Sequence, residues 1–119
     1  MTNTLRDITI LVPGRLLDHA VKRIDKTFTM IRLDDADPAL VDARMRGSVR
    51  GLASMTGISA AFMDALPKLE IIANMGVGYD AVDAKHAGAK GIMVTNTPDV
   101  LTEEVADTTL GLLLNTVRE

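Results

Sequence analysis

The sequence predicts an α/β fold built on one parallel sheet. Five short apolar runs alternate along the chain with longer stretches whose apolar residues have the spacing of one helix face. The crossover connections of strand–helix–strand units are right-handed, so helices come to lie on both faces of the sheet. The chain has 119 residues, 47% of them apolar, which suits one domain with a buried core. We therefore expect a flavodoxin-like, doubly wound sheet of five parallel strands.

The first half of the chain supplies three of these strands. A strand is expected at 8–12, where Pro13 and Gly14 end it, and a helix at 16–26 follows, with apolar residues on one face. The second strand is expected at 29–33.

The stretch after the second strand has the signals of a helix start. Asp37 and Pro38 are suited to the N-cap and the first turn, so we expect a helix from there to about Arg46, ended by Gly47. A third strand at 49–53 follows this helix.

The second half continues the alternation, with turn residues between the elements. The predicted elements are a short helix from the N-cap Ser59 to Leu66, a strand at 69–73, a helix at 80–89, a strand at 92–95, and a long helix from about Thr102 to the end.

Composition and charge exclude several classes of function. A net charge of −3 disfavours nucleic acid as a partner, and no cysteine is present to form disulfides. The longest strongly apolar run, 110–114, is far shorter than the ~20 residues that cross a bilayer. The N-terminus lacks the pattern of a secretion signal. We expect a soluble, cytoplasmic protein without a membrane partner.

The glycine-containing segment 74–83 is the leading candidate for a binding site. It follows the predicted fourth strand and precedes a predicted helix, and in doubly wound sheets ligands bind beyond the carboxyl ends of the strands. Gly76 and Gly78 have no Cβ atoms, so the backbone can turn its N–H groups toward an anion. A small anionic molecule is the expected ligand.

Residues 76–81 also match the dinucleotide pattern G-x-G-x-x-G/A, with Asp99 downstream. The match follows the fourth strand rather than the first, and Asp99 lies in a predicted loop instead of at the end of the second strand of the unit. Three alternatives remain from the residues alone: a dinucleotide turn, a purely structural turn, and a carboxylate-binding loop.

Three linked blocks in 66–114 resemble the D-2-hydroxyacid dehydrogenase family, particularly its glyoxylate and hydroxypyruvate reductase branch. They are L-x-x-I-x-x-x-G-V-G-Y-D-x-V-D, then A-x-x-x-G-I-x-V-T-N-T-P, then D-V-L-T-x-x-V-A-D. Residues 1–65 match that family in pattern only. The resemblance favours the carboxylate-binding alternative.

The resemblance implies roles for five residues around the substrate. The loop that begins at Gly76 would hold the carboxylate of a 2-oxo or 2-hydroxy acid through the backbone amides of Val77 and Gly78. Met75 would border the pocket, and Met55, after the third strand, is similar to a second lining position. Methionine also fills gaps in cores, so core packing is the alternative for both methionines.

The resemblance also assigns the cofactor and the chemistry. The family transfers a hydride between NAD or NADP and substrate, and the reductase branch leans to NADPH. Val105 is similar to a position that faces the nicotinamide, with core packing as its alternative. The family's catalytic histidine, glutamate and arginine follow later in its sequences, so no catalytic residue is assigned here.

The implied organisation is a substrate-binding domain at 1–100 and, at 101–119, a helix that crosses into an absent Rossmann domain. A homodimer is expected for the full-length enzyme, and this chain alone is expected to be inactive. Two alternatives are a stand-alone carboxylate-binding module and a helix-mediated interaction domain. Residues Asp34, Asp35 and Asp37 lack metal-site spacing, and no metal is expected.

Overall fold

The computed structural model describes residues 4–75 and 82–96, which form a parallel sheet of five strands flanked by helices. The strand order is β2-β1-β3-β4-β5, and all four strand pairs are parallel. This is the flavodoxin-like order, so the predicted fold class is confirmed. The strands are β1 (Thr9–Pro13), β2 (Thr29–Leu33), β3 (Val49–Ser54), β4 (Ile71–Asn74) and β5 (Met93–Thr95).

The helices connect the strands in sequence order. They are α1 (Asp18–Thr27), α2 (Ala43–Ser48), α3 (Ala60–Asp64) and α4 (Ala84–Ala89), with short 3-10 turns at Thr4–Asp7 and Pro38–Leu40. The long helix predicted after Thr102 lies outside the described residues. No helix in the described part is long and apolar enough to cross a membrane.

Alternate residues of each central strand enter two separate apolar cores. Ile10 and Val12 pack on the α1 side of the sheet, whereas Leu11 packs on the side of α2, α3 and α4. This division follows from the period of two along a strand, which sends successive side chains to opposite faces. Strand β1 is buried along its whole length, as expected for a strand covered on both faces.

The predicted helix at 37–46 is wrong in its form, although its first cap is correct. The Asp37 carboxylate accepts a hydrogen bond from Ala39 N at 2.9 Å and caps a 3-10 turn. This turn ends at its C-cap Val41, which has an extended backbone and a buried side chain. Asp42 then accepts from Met45 N at 2.9 Å and caps a new helix. Gly47 lies inside that helix rather than after it.

The remaining caps agree with the sequence pattern. Ser59 accepts from Phe62 N at 3.2 Å and starts α3, and Asp83 accepts from His86 N at 3.0 Å and starts α4. Helix α4 begins at Ala84, so it is shorter than the predicted 80–89. Gly91 ends it with φ of 77°, and Ile92 N donates to Ala87 O at 2.8 Å.

Candidate functional site

The carboxyl ends of β1, β3 and β4 lie side by side at the carboxyl-terminal end of the parallel sheet. Ser54 is paired with Asn74 in the register of β3 and β4, and beyond that pair Met75 N donates to Ser54 O at 2.8 Å. The two predicted methionines, Met55 and Met75, therefore follow neighbouring strand ends. This is the end at which doubly wound sheets bind ligands.

The turn after β3 is held by the buried hydroxyl of Ser54. Ser54 Oγ accepts a hydrogen bond from Thr56 N at 2.9 Å and donates one to Thr56 O at 2.9 Å. Met55 lies between these bonded residues, and 49% of its surface is exposed. The serine thus fixes the backbone of a turn whose central side chain projects into solvent.

Met75 has a different environment. Only 4% of its surface is exposed, and it belongs to the apolar core on the α1 side of the sheet. This burial accords with the alternative that Met75 is a core residue. Contact of either methionine with a substrate stays a prediction.

A cleft of about 500 Å³ opens beside the exposed methionine. Two turns contribute its described lining, one after β1 and one after β3. The lining residues are Arg15, Leu16, Leu17, Met55 and Thr56. Of these residues, only Met55 was predicted from the sequence. The available cue was the place of Arg15, Leu16 and Leu17 after the first strand and of Thr56 next to Met55.

Gly14 brings the two turns together. Its φ of 70° is favourable for glycine alone, and a Cβ built on it would lie 3.5 Å from Thr56 Cβ. Gly14 N donates to Leu33 O at 2.9 Å, and Arg32 Nη2 donates to Gly14 O at 3.1 Å. Both backbone polar groups of Gly14 are therefore anchored to β2.

The other predicted site residues lie outside the described part of the chain. These are Gly76, Val77 and Gly78, which continue directly from Met75, and Val105. The backbone-amide site for a carboxylate accordingly stays a prediction, with its starting point at the end of β4.

A polar cluster between α3 and α4 was not predicted from the sequence, because its members are far apart along the chain. Asp64 Oδ1 lies 2.8 Å from His86 Nε2 and 2.9 Å from Lys90 Nζ. Hydrogen bonds from Lys90 and His86 hold the pKa of the Asp64 carboxyl below its ordinary value of 3.8. Within 4–75 and 82–96, no three His, Cys, Asp or Glu side chains converge as a metal site.

The described residues do not fit a bound dinucleotide. A dinucleotide fold has three glycines in the turn after its first strand. Here that turn runs Gly14-Arg15-Leu16-Leu17, with one glycine, and both backbone polar groups of that glycine are bonded to β2. We therefore derive no cofactor chemistry from this part of the chain.

A family model for the D-isomer-specific 2-hydroxyacid dehydrogenase catalytic domain matches residues 10–116. Hydroxyphenylpyruvate reductase of Plectranthus scutellarioides is 40% identical over 115 residues, covering 93% of this chain and 36% of that protein. Glyoxylate/hydroxypyruvate reductase A of Arabidopsis thaliana is 33% identical, covering 96% of this chain and 37% of its own length. The chain thus spans about a third of the length of these curated relatives.

Solved structures show the same relationship. The NADPH-dependent glyoxylate/hydroxypyruvate reductase of Sinorhizobium meliloti, in complex with NADP and malonate, is 54% identical with a TM-score of 0.75. The match covers 92% of this chain and 34% of that one. A 2-hydroxyacid dehydrogenase of Ketogulonicigenium vulgare is 40% identical, with a TM-score of 0.70, over 91% of this chain and 35% of its own. This chain belongs to the D-isomer-specific 2-hydroxyacid dehydrogenase family.

Proposed function

We propose that this chain forms the substrate-carboxylate side of an NAD(P)-dependent reductase of small 2-oxo acids, such as glyoxylate and hydroxypyruvate. The observation that carries the proposal is the joining of the carboxyl ends of β3 and β4 by the Met75 N–Ser54 O hydrogen bond. That bond holds Met75, which precedes the Gly76-Val77-Gly78 segment in the sequence, against the end of the strand that the exposed Met55 follows.

The proposed chemistry of this side is binding and orientation. The backbone amides of Val77 and Gly78 would donate to the substrate carboxylate, since amide donors to an anion make charge-assisted hydrogen bonds. Fixing the carboxylate orients the neighbouring C2 carbon for hydride transfer. Met55 would contact the substrate chain with its flexible thioether side chain.

The proposed cofactor and the proposed class of ligand are supported by the relatives. The Sinorhizobium reductase is NADPH-dependent and was crystallised with malonate, which supports NADPH as cofactor and a carboxylate as ligand. Reductases of this family match the chain over about a third of their length, so we propose that proton transfer and cofactor binding belong to regions beyond these 119 residues. A division at residue 100, a homodimer and a cytoplasmic location remain part of this proposal.

A titration tests the carboxylate site directly. We expect oxalate, a non-reacting mimic of glyoxylate, to shift the backbone amide resonances of Val77 and Gly78 in the isotope-labelled chain. Acetamide, which is small and uncharged, serves as the control ligand. Shifts confined to other residues, or equal shifts with acetamide, would contradict the proposed site.

A further inference from the structure

The cleft beside Met55 carries one positive charge in its described lining, that of Arg15. Leu16, Leu17 and Met55 supply apolar surface, and Thr56 supplies a hydroxyl. The cleft therefore has an apolar middle and a cationic guanidinium, a composition that suits a short carbon chain with an anionic end.

Arg15 is available to a ligand. Its side chain is exposed, and within 4–75 and 82–96 no carboxylate pairs with it. Asp18 follows on the same turn and Asp34 follows β2, but neither contributes to the lining of the cleft. A guanidinium without a carboxylate partner keeps its donors free for a carboxylate or phosphate.

The order of the strands sets the spacing between the turn that carries Arg15 and the end of β4, where the proposed carboxylate loop begins. Strand β3 lies between β1 and β4, so two strand spacings, ~10 Å in total, separate the turn of Arg15 from the start of that loop. Met55 follows the strand between them. A substrate whose 2-oxo acid end occupies the loop would extend past Met55 toward Arg15.

We propose that Arg15 is a specificity-determining residue that favours 2-oxo acids with a second, distal carboxylate. This inference rests on the proposed function, because the loop must hold the first carboxylate. The distal carboxylate would accept hydrogen bonds from the guanidinium, while Met55 and Leu17 contact the methylene groups between the two ends. Since Arg15 is exposed, solvent screens the attraction and the gain in affinity is modest.

The experiment compares two ligands of equal carbon number. We titrate 2-oxoglutarate and 2-oxopentanoate, which lacks the second carboxylate, into the labelled 119-residue chain, and follow the methyl signals of Met55 and Thr56 and the amides of Val77 and Gly78. We expect 2-oxoglutarate to bind about threefold to tenfold more tightly at low salt. The preference should shrink as salt is raised.

Three variants assign the preference to the side chain. Arg15→Gln should abolish it without weakening 2-oxopentanoate, and Arg15→Lys should retain part of it. Arg46→Gln is the matched control. Arg46 is also exposed, but it lies in α2, just before β3 starts, and so at the amino-terminal end of the parallel strands. It should leave the preference unchanged.

The outcomes separate the two proposals. Equal affinity of the two acids, or a preference that survives in Arg15→Gln, would overturn the role of Arg15 while the proposed function stands. Absence of any shift at Val77 and Gly78 with either acid would overturn the proposed function. If 2-oxoglutarate then still shifted Met55 and Thr56, the cleft would be an anion site independent of that function.

Discussion

At the scale of single residues, backbone conformation separates Gly88, inside α4, from Gly91, just after it. Gly91 has φ of 77° after the last turn, whereas Gly88 lies within the helix, and a Cβ at either position meets no atom within 4 Å. Space is therefore equal at the two sites, and only the backbone conformation differs.

This difference predicts opposite effects of alanine. Gly91→Ala should lower the free energy of unfolding by about 1–2 kcal/mol, because a Cβ is unfavourable in the left-handed region. Gly88→Ala should raise it by about 0.5–1 kcal/mol, since alanine favours a helix interior. Urea unfolding of both variants measures the two changes. A loss of stability in both would show that conformation is not the cause.

The site illustrates what single residues reveal in a sequence. Met55 could be predicted because it directly follows an apolar strand, and its exposure agrees with a position at the carboxyl-terminal end of the sheet. Arg15 was not predicted, although it also follows a strand closely, since it lines the cleft only when the left-handed turn at Gly14 brings its segment against Thr56. That proximity depends on strand order, which short-range patterns do not encode.

At the scale of elements, the cluster of Asp64, His86 and Lys90 links α3 to α4. Both bonds go to the same carboxylate oxygen, Oδ1 of Asp64, at 2.8 Å from His86 and 2.9 Å from Lys90. The helices are also joined by the bridge between Ile58 and Val82 near their N-termini. The charge cluster is thus a second, surface connection between the same two elements.

Because the pKa of Asp64 is lowered, the contribution of this link to stability depends on pH. A carboxyl whose pKa is lower in the folded state stabilises the fold above its unfolded-state value, ordinarily 3.8, and loses that contribution as the pH falls through the folded-state value. We expect wild type to exceed Asp64→Asn in stability at pH 6 and the difference to vanish at sufficiently acid pH. Denaturant unfolding from pH 6 downward measures it; a constant difference would contradict this assignment.

Element boundaries show where sequence patterns succeed and fail. Ser59 and Asp83 were predictable as caps, because a capping side chain bonds to backbone within its own turn. The helix expected from Asp37 to Arg46 is instead a 3-10 turn and a separate helix, because the core buries Val41 in an extended conformation between them. Tertiary packing there outweighs the local helix signals.

At the scale of the whole molecule, the alternation of strands and helices was sufficient to predict the parallel sheet. Each of the five predicted strands is present in the described part of the chain, with boundaries displaced by at most a few residues. The order β2-β1-β3-β4-β5 follows from right-handed crossovers with one reversal after β2. Whether this fold alone can catalyse the reaction is tested by measuring activity.

We expect the 119-residue chain alone to oxidise no NADPH with glyoxylate or hydroxypyruvate. The positive control is a graft in which this chain replaces the matching third of the Sinorhizobium reductase, which is 54% identical over the aligned part. The graft should be active, measured as loss of NADPH absorbance. Turnover by the chain alone would contradict the prediction, as would a folded but inactive graft.

The position of β1 inside the sheet has a consequence for how the protein is made. Thr9 pairs with Thr29 on one side, and Leu11 pairs with Leu52 on the other. During synthesis β1 leaves the ribosome before both of its neighbours, and β3 emerges only after β2 and the helix between them have been added. An apolar strand that is fully buried in the finished fold must therefore wait with one edge unpaired. Until β3 has been made, β1 is therefore a segment that a nascent-chain chaperone would protect.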